Sequence, residues 1–63
     1  MKEYGKVRIG HVNGNVTELE EAKVVRREVV GYDPEEGSIK EYEIEYKSGN
    51  RTRFYGCWAD TER

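Results

Sequence analysis

Residues 41–46 read Glu-Tyr-Glu-Ile-Glu-Tyr, apolar and acidic in strict alternation. Period two is the signature of a strand with one buried face, here Tyr42, Ile44 and Tyr46, and one wet face, here Glu41, Glu43 and Glu45. The run from Arg51 to Trp58 repeats the pattern, with Thr52, Phe54, Gly56 and Trp58 on one side and Arg51, Arg53, Tyr55 and Cys57 on the other. Between them Ser48-Gly49-Asn50 predicts a three-residue hairpin loop. A one-residue slip would turn every apolar side chain outward, so only registers that keep apolar opposite apolar are admissible. The tightest opposes Lys47 with Arg51. It faces Tyr46 with Thr52, Ile44 with Phe54, and Tyr42 with the bare backbone of Gly56. On the wet face it sets Glu45 against Arg53, Glu43 against Tyr55 and Glu41 against Cys57.

Upstream, Val7, Ile9 and His11 alternate with Lys6, Arg8 and Gly10, a further half-buried strand. Val16 to Tyr32 carries conflicting signals. Thr17-Glu18-Leu19-Glu20 fits a capping box, Glu18, Glu20 and Glu21 suit a helix N-terminus, and Leu19, Ala22, Val25 and Val29 recur at helical spacing. Gly31 and Pro34 suit a helix end. These signals predict a helix over 18–30 and an α+β fold. The 63 residues then form one β-α-β-β domain, with one helix packed on a three-stranded sheet. Its core is Val7, Ile9, Leu19, Ala22, Val25, Val29, Tyr42, Ile44, Tyr46, Phe54 and Trp58.

The alternative is an all-β small barrel. Val24, Val25, Val29 and Val30 are β-branched and favour strands. Asn13-Gly14 and Asp33 to Gly37 can each close a hairpin. Against it, residues 22–32 do not alternate: Val24, Val30 and Tyr32 share a face with Arg26 and Glu28. In this reading the run from Val29 to Phe54, VVGYDPEEGSIKEYEIEYKSGNRTRF, resembles SH3 or Tudor-like strands around an acidic turn. The resemblance is one of composition, covers under half the chain and lacks an aromatic-cage motif.

A chain this short buries only about 60% of the surface its unfolded form exposes. Cys57, the single cysteine, cannot form an internal disulfide, and one histidine with one cysteine cannot complete a zinc site. Stability must come from a well-packed core or from a partner, of which a two-fold homodimer is the simplest. Eleven basic and thirteen acidic residues give a net charge of −2. The pI of 5.4 is far from the basic balance of a dedicated nucleic-acid binder. No apolar run approaches a membrane span, the N-terminus has no secretory h-region, and the cysteine is free. A cytoplasmic (intracellular) location without membrane association is expected.

Five residues are candidate contacts: Tyr4, Arg8, Arg51, Arg53 and Tyr55. Arginines and aromatics on a sheet face can hold phosphates and stack bases. The same arginines, opposite Glu45 and its neighbours, can equally be partners in a cross-strand charge ladder. The glutamate rows could themselves imitate a phosphate track and fill another protein's basic groove, in the manner of viral or phage inhibitors. His11 reads as a strand-end residue with a local hydrogen bond, and Cys57 as a passive side chain. No catalytic, metal-binding or cofactor-binding motif is present. The expected function is therefore a non-enzymatic protein–protein interaction or regulatory module, without cofactor or metal. It would act through a charged, Tyr-bearing sheet face or an edge strand, with homodimerisation possible. The alternative is a nucleic-acid-binding protein using the Arg51, Arg53 and Tyr55 face.

Overall fold

The computed structural model describes residues 4–62. They form five strands, β1 (Gly5–Gly10), β2 (Val16–Asp33), β3 (Gly37–Tyr46), β4 (Arg51–Gly56) and β5 (Trp58–Glu62). All pairings are antiparallel in one sheet of order β4-β3-β2-β1-β5. No helix occurs among the described residues. The α+β expectation is thus overturned and the all-β alternative fits. Residues 18–30, expected as a helix, lie within β2, and the run Arg51 to Trp58 is two strands broken at Cys57.

Why β2 looked helical is visible in its backbone. The register shifts between Val24 and Arg26 and again between Val29 and Gly31, so Val25 and Val30 have no partner on β3. Each bulge adds one residue and moves the alternation out of phase. Glu21 adds a third interruption, with φ of 50°. The interruptions also bend the strand. Eighteen extended residues would span about 59 Å, yet the longest dimension of the molecule is 37 Å. The first half of β2, Val16 to Ala22, pairs with β1, and the second half, Ala22 to Asp33, pairs with β3. Glu18, Glu20 and Glu21, which suggested a helix start, are exposed side chains on β2, and two of them have local partners. Glu20 faces Lys6 at 3.8 Å and Glu21 faces Lys47 at 3.9 Å.

Two hairpins close identically. The His11 N–H donates to the Asn15 carbonyl at 2.8 Å and the Gly14 N–H to the His11 carbonyl at 3.0 Å. Tyr46, Asn50 and Gly49 repeat the arrangement at 2.8 Å for both bonds. In each, glycine is the third loop residue and takes a positive φ, +89° at Gly14 and +100° at Gly49, which a side chain would resist. That glycine sets the register. The loop is Lys47-Ser48-Gly49 rather than Ser48-Gly49-Asn50, so every β3–β4 pair lies two residues from the expected one. Tyr42 meets Phe54, Ile44 meets Thr52, Glu45 meets Arg51, Glu43 meets Arg53 and Glu41 meets Tyr55. The shift is even, so each side chain keeps its predicted face.

The core is Val7, Ile9, Ala22, Tyr42 and Ile44, with Leu19, Val24, Tyr46, Phe54 and Ala59 packed against it. Val25, Val29 and Trp58, expected inside, are exposed. Val25 and Val29 lie on the bulged half of β2. Trp58 opens β5, where its indole lies over Gly10, its cross-strand partner. The aromatic cover expected of Tyr42 on Gly56 is supplied instead by Trp58 on Gly10. Gly56 has another role. A Cβ there would meet the Gly10 carbonyl oxygen at 2.6 Å and Ile9 Cγ2 at 2.7 Å. The chain crosses from β4 to β5 at this point, so the curled sheet brings its edges together. The Cys57 N–H donates to the Gly10 carbonyl at 2.7 Å, and Lys40 Nζ donates to the Cys57 carbonyl at 3.0 Å.

Candidate interaction surface

The outward face of β2, β3 and β4 is a charge ladder. Its cross-strand rows are Lys23–Glu45–Arg51, Arg26–Glu43–Arg53 and Glu28–Glu41–Tyr55. The acidic strand predicted from residues 41–46 thus runs between two strands that carry five of the eleven bases. Arg51 reaches Glu43 at 3.4 Å and Glu45 at 3.7 Å. Glu45 is only 7% exposed, and a carboxylate buried so far requires charge partners. The Lys23 ammonium lies 5.3 Å from the centre of the Tyr4 ring, so Tyr4 extends the first row. The carboxylate of Glu41, the cross-strand neighbour of Tyr55, holds the Tyr55 hydroxyl's pKa above the ordinary phenol value.

The structure therefore brings Tyr4, Arg51, Arg53 and Tyr55 onto one face and places Arg8 elsewhere. Arg8 lies on β1, its cross-strand neighbours Glu18 on β2 and Asp60 on β5. His11 Nδ1 bonds the Tyr55 carbonyl at 2.9 Å and its Nε2 bonds Thr17 Oγ1 at 2.6 Å, so the ring ties β1, β2 and β4 together.

A second surface went unread in the sequence. β4 accompanies β3 only from Lys40 to Glu45, and β1 accompanies β2 only to Ala22. Beyond Lys40, β2 and β3 pair solely with each other among the described residues, from Gly31–Ile39 to Asp33–Gly37. This two-stranded arm ends in a turn held by Asp33, whose carboxylate accepts the Glu35 and Glu36 N–H groups at 2.9 Å. Those bonds hold its pKa below the ordinary 3.8. Val25, Val29, Val30 and Tyr32, on the open half of β2, are 36%, 61%, 50% and 74% exposed. Tyr32 was hidden from sequence reasoning because it fell just past the expected helix end. The available signal was the β-branched pair Val29-Val30 with Tyr32 close behind.

Beside the same edge lies an open cleft of about 360 Å³, walled by Val24, Val25, Arg26 and Arg27 on β2 and by Ala59 and Thr61 on β5, with Tyr42 between. Burial raises the Tyr42 hydroxyl pKa against the opposing effect of Arg27. No carboxylate, histidine or cysteine lines this cleft. Among the described residues no group of three or more histidine, cysteine or acidic side chains could hold a metal ion. No helix among them is long and apolar enough to cross a membrane. No protein-family model, curated protein or solved structure matches the chain.

Proposed function

We propose that this chain is a non-enzymatic protein-binding module that docks through the Tyr-bearing open edge of β2 and its arm. One observation carries the reading. Four large hydrophobic side chains, Val25, Val29, Val30 and Tyr32, are exposed along a strand half that has no neighbour on its outer side among the described residues. An exposed apolar edge invites pairing with another chain, and binding proteins use such edges for strand addition. Tyrosine is also enriched in protein interfaces. The nucleic-acid reading is less favoured. Arg51 and Arg53 stand beside Glu43 and Glu45, which already engage Arg51 and would repel phosphate.

The test is affinity capture from lysate, with and without nuclease, comparing the natural chain with a Val29→Lys, Tyr32→Lys variant. A defined protein that survives nuclease and disappears with the variant supports the proposal. Capture that vanishes with nuclease and is abolished by Arg53→Glu moves the site to the charged face.

A further inference from the structure

On the reading that the β2 edge is a protein-binding surface, we infer that its occupant is the same edge of a second copy, paired antiparallel about a two-fold axis at Arg27. Residues 24–30 read Val-Val-Arg-Arg-Glu-Val-Val, apolar at both ends and oppositely charged on either side of the central residue. An isologous contact requires that each residue meet its own mirror position. Centred on Arg27, the pairing sets Val25 opposite the second copy's Val29 and Arg26 opposite its Glu28. Residues 26–29, between the two bulges, are regular strand, so Arg26 and its mirror Glu28 share a face, while Val25 stands in the first bulge.

The charge ladder supplies the second argument. Within one copy Glu28 lies directly opposite Glu41, a like-charge pair that destabilises a sheet. Arg26 compensates from its own strand, with a guanidinium nitrogen 3.2 Å from Glu28. On its open side Glu28 has no strand among the described residues. The two-fold pairing places a second arginine there. It also places a glutamate beside Arg26 at the end of the row Arg53–Glu43–Arg26. The row then runs Arg53, Glu43, Arg26 in one copy and Glu28, Glu41, Tyr55 in the other. Both side chains at the junction are exposed, Arg26 at 63% and Glu28 at 53%. The cleft along Val24 to Arg27 leaves space beside the edge. The central Arg27 pair opposes association.

The experiment is sedimentation equilibrium under reducing conditions, which exclude a Cys57 disulfide. The natural chain should self-associate with rising concentration. Arg26→Glu and Glu28→Arg are each felt twice across the axis and should each weaken association by about tenfold, and the double exchange should recover most of it. Arg27→Val removes the central repulsion and should tighten association by about two- to fivefold. It does not disturb the ladder and remains informative if Arg26→Glu, now facing Glu43, fails to fold. A chain that is monomeric throughout, or a dimer indifferent to these exchanges and to Arg27→Val, overturns the inference. If such a chain still loses a different protein partner with Val29→Lys, Tyr32→Lys, the self-pairing falls and the protein-binding proposal stands.

Discussion

The charged face and the arm are built from the same two strands, yet they meet solvent in opposite ways. Over residues 40–45, β3 has neighbours on both sides, and Glu43 and Glu45 are matched to bases on β2 and β4, while Glu41 faces Glu28 and Tyr55. Beyond Lys40 the same strand has one neighbour, and β2 exposes valines and a tyrosine. Where a third strand is present, Glu43 and Glu45 find opposite charges on both flanking strands, and Glu28 opposite Glu41 is the exception. Where that strand is missing the surface is apolar and open. Lateral support, more than composition, separates the part that stabilises the domain from the part available to a partner.

The sharpest way to break this comparison is to remove an apolar side chain from the supported part. Ile44 is fully buried, and Ile44→Ala should cost about 2–5 kcal/mol, enough to unfold a domain of this size. Urea denaturation of the variant checks it. Gly56→Ala should follow, at about 1–3 kcal/mol, because its Cβ would press on the Gly10 carbonyl, a backbone atom with little room to yield. Arg51→Ala tests the ladder. With its side chain 56% exposed, the loss should stay under about 1 kcal/mol, and high salt should shrink it. On the open half of β2 and its arm, Val29→Thr and Tyr32→Ser should change stability by less than about 0.5 kcal/mol while reducing binding. An arm substitution that unfolded the domain would erase the distinction.

The smallest effect is acidic. The folded pKa of Asp33 lies below its unfolded 3.8, so its contribution is complete above that pH. It fades as pH falls below 3.8 toward the folded value. Amide exchange at Glu35 and Glu36 should quicken there before the β1–β2 hairpin responds, and Asp33→Ala should show the faster exchange at neutral pH.

Much of β3 and β4 was legible because alternation survives there unbroken. Glu41 to Tyr46 named its own inner and outer faces, and Arg51, Arg53 and Tyr55 lie on the face predicted for them. The two-residue error in register came from centring the loop on Gly49, whereas its positive φ belongs at the loop's third position. β2 was not legible, since two bulges and the turn at Glu21 break its period into pieces that imitate helical spacing. The glutamates at 18, 20 and 21 completed the imitation. β5 was invisible for a different reason. Ala59 to Glu62 has almost no apolar pattern and is held by backbone pairing to β1, which a sequence does not display. The arm was missed along with β2, because exposure there follows from strands that end early.

The crossing at Gly56 sets an order of assembly. β1 to β4 can pair as successive hairpins, each strand beside the one just made. β1 lacks its outer neighbour until residues 58–62 arrive, and those are the last of the five strands to be synthesised. A growing chain therefore holds Val7 and Ile9 on an incomplete border strand until the final segment passes over Gly10. Loop closure between the most distant parts of the sequence comes last and slows folding relative to a simple meander. For that interval β1 and the open half of β2 are both bare borders, and among the described residues the later strand β5 covers only the first.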